Sequence, residues 1–395
     1  TALAAGGPGA LFWMVLAAFF GMATKYAEGV LAIKYRTIDG NGHVLGGPFY
    51  YIENGMGVRW RWLAKIFAFF GAGVGLLGIG TFTQVNGISS AVCNFFDPEK
   101  ANTISLFGGS YSIATVIAGL ILTVCVGLVV IGGLKRIAQV SQVVVPFMAV
   151  LYFVFALIII VTHLGEIPAA ALAIVKSAFS GSALAGGAMG TMMVAMQKGI
   201  ARGIFSNEAG LGSAPIAAAA AQTDSPVRQG LVSMTGTFID TIVICTMTGL
   251  SIVVTGTWNT GLEGVAITTA AFQKGLPFPP VVASVVLMVC LVFFAFTTIL
   301  GWNYYGERCI EYLFNRNRKV VKGYRWLYIL AIFIGPYMTV QAVWNIADIF
   351  NALMAFPNLI ALVALSRVVF SETKNYFGKS DDEKGEISPN VQAES

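Results

Sequence analysis

The fold is determined by residues 185–222, whose sequence is AGGAMGTMMVAMQKGIARGIFSNEAGLGSAPIAAAAAQ. This segment is long enough to cross a bilayer and is apolar at both ends. Its middle, however, places polar and charged residues among repeated glycines: Gln197, Lys198, Arg202, Ser206, Asn207 and Glu208. Glycine lets the backbone leave helical geometry, and unwound backbone at membrane depth is tolerated only where protein or a water-filled cavity surrounds it. The pattern therefore predicts a broken membrane helix over a binding site.

The composition of the whole chain is that of a polytopic membrane protein. Of 395 residues, 56% are hydrophobic and only 11% are charged. The mean hydropathy of +0.76 is far from the average of soluble domains. Five cysteines occur singly, without paired spacing, so the sequence predicts neither a disulfide framework nor a zinc site. The two histidines, His43 and His163, lie at peripheral positions, which argues against a metalloenzyme.

Nine segments have the roughly 20 apolar residues that a helix needs to cross the hydrocarbon core. In chain order they are 9–33, 64–92, 112–133, 138–162, the interrupted segment 185–222, 230–256, 281–304, 325–341 and 343–369. Four uninterrupted spans thus precede the broken segment, and four follow it.

Positive charge is distributed unevenly between alternate loops. Most lysines and arginines lie in one set of loops, 34–65, 134–137, 223–229 and 305–325. The alternate loops contain one lysine each: Lys100, Lys176 and Lys274. By the positive-inside rule the first set is cytoplasmic, together with the polar tail 371–395, which we expect to be disordered. The net charge of +5 thus reports membrane orientation and gives no reason to expect a nucleic-acid partner.

Four spans on each side of a broken one are typical of transporters built from two inverted repeats. In such folds each repeat begins with a discontinuous helix, and the two discontinuous helices form a binding site at the bilayer midplane. We therefore predict one transmembrane transporter domain, 1–370, in which 1–162 is the remainder of the first repeat and 185–369 is the second. The discontinuous helix that opens the first repeat is expected before residue 1, and it would then be missing from this sequence.

Several motifs resemble those of one family of carriers. They are GGPGALFWM (6–14), FGMATKYAE (20–28), GGPFYYI (46–52), RGIFSNEAGLGS (202–213), GWNYYGER (301–308) and the residues from Ala347-Asp348 to Pro357-Asn358. In sequence and order these motifs resemble the alanine/glycine:cation symporter family, sodium-coupled carriers of the amino acid–polyamine–organocation superfamily. The resemblance implies an all-α membrane protein of the cell membrane with the leucine-transporter-like inverted-repeat fold and about nine transmembrane helices present.

An amino-acid substrate is a zwitterion, so its site must offer donors to a carboxylate and acceptors to an ammonium group. Free N–H groups at helix N-termini and free carbonyls at the opposite ends meet these needs at a helix break. The resemblance places substrate contacts in the broken segment and in two other spans: Thr83, Gln84, Gly203, Phe205, Ser206, Asn207, Gly210 and Trp302.

The polar residues of the broken segment also have structural interpretations. Asn207 is either a direct partner of the substrate or a side chain that caps the helix break. Glu208 is costly at membrane depth and is therefore a candidate for coupling. Alternatively, its carboxylate is held by backbone N–H groups or by Arg202. Lys198 and Arg202 are expected on the cytoplasmic side of the break.

Two threonines are candidates for the site of the coupling ion. Sodium prefers oxygen ligands, which Thr297 and Thr298 can supply, and the resemblance implies a sodium site at this pair. The alternative is that each hydroxyl bonds back to its own helix. Trp302 lies four residues after Thr298 and therefore on the same helix face, where we expect it to form a wall of the pocket. Gln84 either contacts the substrate or forms an interhelical hydrogen bond.

Three further charged residues lie within the spans. Asp240 is a weaker candidate for coupling, with a buried structural partner as the alternative. Lys25 and Glu28, at positions i and i+3 of one helix, are expected to form a salt bridge.

These features predict a sodium-coupled symporter of small neutral amino acids such as alanine and glycine, working by alternating access. The alternative is a carrier of the same fold that is coupled to protons or exchanges another small solute. The spans contain no Ser/His/Asp set, no Cys/His pair and no carboxylate dyad, so an enzyme is disfavoured. A channel is disfavoured because nothing resembles a selectivity filter. We expect a monomer in the lipid bilayer, with sodium as the coupling ion and no prosthetic cofactor.

Overall fold

The computed structural model describes residues 1–38, 44–106, 108–179, 188–262 and 264–383. His43, the first three residues of the segment 185–222 and the tail from residue 384 lie outside these ranges. Within the described ranges, the strands form two short antiparallel hairpins. In these, β1 (Thr37–Ile38) pairs with β2 (Val44–Leu45), and β3 (Thr103–Leu106) pairs with β4 (Gly109–Ser112).

The rest of the regular structure is helical. The α-helices of the described residues are α1 (Ala2–Gly6), α2 (Gly9–Lys34), α3 (Pro48–Gly55), α4 (Arg61–Leu77), α5 (Phe82–Phe96), α6 (Ile113–Ile131), α7 (Leu134–Thr162), α8 (Ile167–Phe179), α9 (Ala188–Asn207), α10 (Ala214–Ala218), α11 (Pro226–Thr237), α12 (Thr246–Val254), α13 (Val265–Gly275), α14 (Pro280–Leu313), α15 (Arg318–Ile334), α16 (Val340–Ala364) and α17 (Ser366–Glu383). A π-helix, Phe238–Cys245, joins α11 to α12. Short 3-10 turns lie at Val58–Trp60, Leu164–Glu166, Thr257–Asn259 and Gly335–Tyr337.

In the described part of the chain, seven helical segments are long and apolar enough to cross a membrane: Gly9–Lys34, Val58–Phe96, Ile113–Ile131, Arg136–Thr162, Pro226–Val254, Pro280–Leu313 and Val340–Ala364. They coincide with seven of the predicted spans, so the prediction of an all-α membrane protein is confirmed. The other two predicted spans are the interrupted segment, which contains α9 and α10, and 325–341, where α15 ends at Ile334. The count of nine and the inverted-repeat fold stay predictions.

The span predicted at 64–92 is not continuous. Helix α4 ends at Leu77, and α5 begins at Phe82. Between them Gly78 adopts φ −110° and ψ −131°, a backbone conformation outside the helical region. The prediction of one uninterrupted helix is therefore wrong, because mean hydropathy does not register a break made by glycines in an apolar segment.

The first part of the polar tail is helical, whereas disorder was expected. Disorder was predicted from residue 371, but α17 continues to Glu383. Glu372 pairs with Lys34 at the end of α2 (2.8 Å), and Thr373 shares a hydrogen bond of 2.6 Å with Tyr26. These contacts hold α17 against α2, and the composition of the tail does not reveal them.

The core surrounds both helix interruptions. Helix α9 packs closely on α2, because a Cβ added at Gly199 would lie only 2.3 Å from the carbonyl oxygen of Ala10. Helix α4 packs against α14 and α16. The largest fully buried side chains of the described residues are headed by Trp302, Tyr51 and Tyr328. Large buried aromatic rings therefore lie close to the broken helices.

Candidate functional site at two helix breaks

The α9–α10 break comprises residues 208–213, between the end of α9 and the start of α10. Three of its residues have a left-handed backbone: Glu208 (φ 57°), Gly210 (φ 82°) and Gly212 (φ 83°). For a residue other than glycine this conformation costs roughly 1–2 kcal/mol. Other contacts must therefore hold Glu208 in place. The interruption predicted from the glycine-rich segment is present.

Two hydrogen bonds hold the carboxylate of Glu208. Its Oε1 accepts the indole N–H of Trp302 (3.0 Å), and its Oε2 accepts the hydroxyl of Ser213 (2.6 Å). The first bond ties the break to α14, and the second closes the break on itself. This geometry favours the structural interpretation of Glu208, with Trp302 rather than Arg202 as the partner.

Asn207 uses both ends of its amide within the protein. Its Oδ1 accepts the N–H of Ala209 (3.0 Å), and its Nδ2 donates to Thr241 Oγ1 (3.0 Å). The side chain is buried. Asn207 therefore caps the end of α9, which is the alternative to a direct substrate contact.

Arg202 is engaged with α16. Its Nη2 lies 2.7 Å from Oδ2 of Asp348, and its guanidinium stacks on the ring of Trp344 at 4.2 Å. The ring of Trp344 also packs against Phe205, with the centroids 4.8 Å apart. Phe205, a predicted substrate contact, thus belongs to an aromatic and charged contact between α9 and α16.

Lys198 and Arg202 both lie within α9, before the α9–α10 break. The charge pattern predicts an external loop 163–184 before α9 and a cytoplasmic loop 223–229 after the break. This predicted orientation would place both side chains on the external side, whereas they are expected on the cytoplasmic side, and both positions stay predictions.

The second interruption, the α4–α5 break at residues 78–81, is stabilised by predicted site residues. The side chains of Thr83 and Gln84 both donate to the carbonyl of Ile79, at 3.0 and 3.1 Å. Their donor groups therefore serve the break itself. The signal in the sequence that could have revealed this break is the pair of glycines within it, Gly78 and Gly80.

The two breaks meet at Trp302, which is 1% exposed. A Cβ added at Gly80 would lie 2.5 Å from Cβ of Trp302, so the α4–α5 break touches α14 directly. The same tryptophan donates to Glu208 in the α9–α10 break. The hydroxyl of Tyr328 on α15 donates to the carbonyl of Gly80 (3.0 Å) and so also holds the α4–α5 break. One buried tryptophan side chain therefore links both interruptions.

Thr297 and Thr298 precede Trp302 by about one turn of α14. The hydroxyl oxygens of both lie near the carbonyl oxygen of Phe294, at 3.0 Å for Thr297 and 2.9 Å for Thr298. Both hydroxyl protons are thus used within α14, as the back-bonding alternative requires. Each oxygen retains a lone pair that can bind a cation. The sodium site at this pair stays a prediction.

Asp240 lies in the π-helix beside the end of α9. Its Oδ2 accepts the hydroxyls of Ser206 (2.7 Å) and Thr241 (2.9 Å). The hydroxyl proton of Ser206, a predicted substrate contact, is therefore used by this carboxylate. π-Helical turns occur frequently at functional sites, and here the π-helix brings the half-buried carboxylate of Asp240 to Ser206 at the end of α9.

Glu28 binds the α9–α10 break instead of pairing with Lys25. Its Oε1 accepts the N–H of Gly212 (3.1 Å) and the amide of Asn358 (2.7 Å), and the residue is 1% exposed. Asn358 also donates to the carbonyl of Gly210 (2.9 Å). The described residues show no ion pair between Lys25 and Glu28, so the predicted salt bridge is wrong. The carboxylate is turned toward the break, whose free N–H group needs an acceptor.

The remaining candidates are glycines that allow close packing. A Cβ at Gly203 would lie 3.2 Å from Cγ of Met14 on α2, and a Cβ at Gly210 would lie 3.2 Å from Cδ2 of Leu359 on α16. These positions bring the broken helix against both neighbours. Among the residues that the structure describes, no group of three or more His, Cys, Asp and Glu side chains could hold a metal ion.

Comparison with known proteins decides the family. Residues 1–391 match the model of the sodium:alanine symporter family. The chain belongs to the sodium:alanine symporter family. It is therefore a multi-pass membrane transporter and not an enzyme, and the family indicated by the sequence motifs is confirmed.

Three relatives align with nearly the whole chain. An uncharacterized transporter of Haemophilus influenzae is 54% identical over 379 residues, which are 95% of this chain and 78% of that protein. The sodium/alanine symporter AgcS of Methanococcus maripaludis is 47% identical over 383 residues, covering 95% and 79% of the two chains. The probable sodium/glutamine symporter GlnT of Bacillus subtilis is 39% identical over 377 residues, covering 95% and 73%.

Proposed function

We propose that this family member carries small neutral amino acids, alanine and glycine, across the cell membrane together with sodium, by alternating access. The observation that carries the proposal is the meeting of two interrupted helices at Trp302. Interrupted helices expose backbone groups inside a membrane protein, where these groups bind charged cargo. The similarity to the sodium/alanine symporter AgcS supports alanine and sodium as the two cargoes.

The helix ends at the two breaks carry opposite partial charges. Helix α9 reaches the α9–α10 break with its last carbonyl groups, which form the negative end of its dipole. Helix α5 begins at the α4–α5 break with its first N–H groups, which form the positive end. A zwitterionic amino acid needs a negative partner for its ammonium group and a positive partner for its carboxylate. We assign its ammonium group to the end of α9 and its carboxylate to the start of α5.

The side chains around the breaks then have separate tasks. Trp302 and Phe205 limit the size of the substrate side chain, and Gly203 and Gly210 keep the neighbouring helices close. The polar contacts to the substrate are drawn from Thr83, Gln84 and Ser206, and Asn207 supports them by capping the end of α9.

The ion and the buried carboxylates are assigned separately. Thr297 and Thr298 bind sodium through their free lone pairs. Glu208 and Asp240 hold the α9–α10 break in shape, because hydrogen bonds from protein groups reach both oxygens of Glu208 and Oδ2 of Asp240.

The same proposal includes the membrane arrangement. The remainder of the first repeat, 1–162, and the second repeat, 185–369, form one transporter domain, 1–370, with the leucine-transporter-like fold. The transporter acts as a monomer, and α17 lies on the cytoplasmic side. The bias of lysine and arginine toward alternate loops supports this orientation.

The proposal is tested by uptake of labelled alanine into proteoliposomes. Three conditions are compared: an inward sodium gradient, equal sodium on both sides, and potassium in place of sodium. We expect accumulation only with the gradient, and competition by excess glycine. The similarity to GlnT makes glutamine the second competitor to test. Equal uptake without sodium would overturn the proposal, and accumulation driven by a proton gradient alone would favour a proton-coupled carrier.

A further inference from the structure

Asn351 is a buried polar residue without a role in the site described above. It lies in the middle of α16 and is 7% exposed. Its Oδ1 is fully buried and has no hydrogen-bond partner within the part of the chain that the structure describes. Buried side-chain oxygens are satisfied in the large majority of cases, and this oxygen is one of several exceptions among the described residues, for which water, an ion or bound cargo is a suitable partner.

The position of Asn351 on α16 places it beside the α9–α10 break. Trp344, Asn351 and Asn358 follow one another at intervals of seven residues, two helical turns, and therefore lie on one face. Trp344 packs against Phe205 at the end of α9, with ring centroids 4.8 Å apart. Asn358 donates to the carbonyl of Gly210 (2.9 Å). Asn351 lies midway along α16 between the residues that make these two contacts.

Several acidic oxygens at this level are already hydrogen-bonded, whereas Oε2 of Glu28, like Oδ1 of Asn351, is buried without a hydrogen-bond partner among the described residues. Oδ2 of Asp240 accepts two hydroxyls, and both oxygens of Glu208 accept donors from Trp302 and Ser213. The amide oxygen of Asn351, by contrast, is unoccupied. The carbonyl end of α9 adds negative potential at the same place. A neutral amide oxygen can bind a cationic group there without the cost of another buried negative charge.

We propose that Oδ1 of Asn351 binds a monovalent positive charge at the α9–α10 break, either the ammonium group of the substrate or the coupling sodium ion. This inference rests on the proposed function, because it requires cargo at the break. An ammonium group donates hydrogen bonds to an amide oxygen, and sodium is a hard cation that prefers oxygen ligands. Helix α16 thereby supplies a direct contact to the cargo, in addition to its structural contacts through Trp344 and Asn358.

Two equilibrium measurements on the purified full chain separate the two partners. The first is binding of ²²Na⁺ without alanine, and the second is binding of labelled alanine at saturating sodium. Asn351→Ala removes the oxygen, whereas Asn351→Asp keeps an oxygen at the same place. Asn86→Ala is the matched control, because Nδ2 of Asn86 donates to the carbonyl of Met338 (3.0 Å), which belongs to neither break.

Each partner predicts a different result. If the ammonium group is bound, Asn351→Ala lowers alanine affinity by about tenfold or more and leaves sodium affinity unchanged. If sodium is bound, sodium affinity falls by about the same factor, and alanine affinity recovers at high sodium. Asn351→Asp and Asn86→Ala retain both affinities in either case.

Two results would overturn the inference. One is unchanged affinity for both cargoes in Asn351→Ala. The other is an equal loss in Asn351→Ala and Asn351→Asp, because the loss would then not depend on the oxygen. Absence of sodium-dependent alanine binding in the wild type would instead overturn the proposed function.

Discussion

The indole N–H of Trp302 on α14 donates to Oε1 of Glu208 in the α9–α10 break across 3.0 Å, between residues 94 positions apart in the chain. Glu208 needs this support, because its backbone is left-handed. Cβ of the same tryptophan packs against Gly80 in the α4–α5 break. The distance between the two breaks is therefore set by one buried side chain, and a movement of either break must displace Trp302.

Trp302→Phe tests this link. We expect the free energy of unfolding to fall by about 1–3 kcal/mol, because a buried carboxylate oxygen of Glu208 loses its donor. Alanine affinity falls as well, since the break is no longer fixed. Chemical unfolding in detergent and equilibrium alanine binding measure the two effects. Trp326→Phe is the control, because Trp326 is 64% exposed. An equal loss in both variants would contradict the link.

Gly80→Ala tests the contact between α14 and the α4–α5 break. The added Cβ would lie 2.5 Å from Cβ of Trp302 and 2.7 Å from the carbonyl oxygen of Gly75, so the ring or the backbone must shift. We expect sodium-driven alanine uptake to fall by about tenfold or more. Gly87→Ala, in α5 just after the break, meets nothing within 4 Å and should leave uptake intact. Normal uptake by Gly80→Ala would show that the close contact is not needed.

Glu28→Ala should destabilise the α9–α10 break. The change leaves the N–H of Gly212 and the amide of Asn358 without their acceptor, at a cost of about 1–3 kcal/mol in unfolding free energy. Glu28→Gln keeps one acceptor oxygen and should lose less. Glu166→Ala, at an exposed glutamate, is the control. Equal stability of the Ala and Gln variants at position 28 would show that an acceptor oxygen at this position does not stabilise the break.

The spans and the α9–α10 break could be predicted from the sequence, because hydropathy, glycines and charged residues within an apolar segment are local signals. The partners of the charged side chains could not be predicted in this way. Arg202 and Asp348 are 146 residues apart, and Glu28 and Asn358 are 330 residues apart. No local rule selects such pairs. The i, i+3 rule favours Lys25 as the partner of Glu28, but the carboxylate of Glu28 instead accepts the free N–H of Gly212 in the α9–α10 break.

The α4–α5 break was missed for a related reason. A mean over about 20 residues reports that a segment belongs in the membrane and does not report that its backbone is interrupted. The tight approach of Gly80 to Trp302 depends on residues from two distant helices. For Thr297 and Thr298, the sequence allowed both a sodium site and back-bonding, and the structure shows the hydroxyl protons used in back-bonding.

Thr298→Val tests the sodium assignment. Valine keeps the shape of threonine and removes the hydroxyl oxygen, so we expect the sodium concentration for half-maximal uptake to rise by about fivefold or more. The control is Thr123→Val on α6, where the hydroxyl donates in the same way to the carbonyl of Gly119 (2.7 Å). The same sodium dependence in both variants would place the ion elsewhere.

Asp97, in the loop after α5, gives a pH-dependent contribution to stability. The hydroxyl of Ser112 (2.5 Å) and the N–H of Ala101 (2.9 Å) bond to its carboxylate and hold its pKa below the ordinary value. A lowered pKa adds stability above the unfolded pKa, and this stability is lost as the pH falls through the folded pKa.

The wild type should therefore exceed Asp97→Asn in stability at neutral pH, and this difference should begin to fall near the ordinary pKa of 3.8 and vanish below the lowered pKa of the folded protein. Chemical unfolding of both proteins at a series of pH values measures this difference in stability. Glu99→Gln, at an exposed position two residues later, should show no such difference. A difference that is constant down to strong acid would mean that charge on Asp97 is not its source.

The central claim is that alanine and sodium bind to one connected site at the two breaks. Its most direct test is the reciprocal effect of each cargo on the affinity of the other, measured on the same purified transporter. Thermodynamic linkage requires the two factors to be equal, and we predict a value in the range of roughly 5–150-fold. Alanine affinity that is the same without sodium and at saturating sodium would contradict the claim.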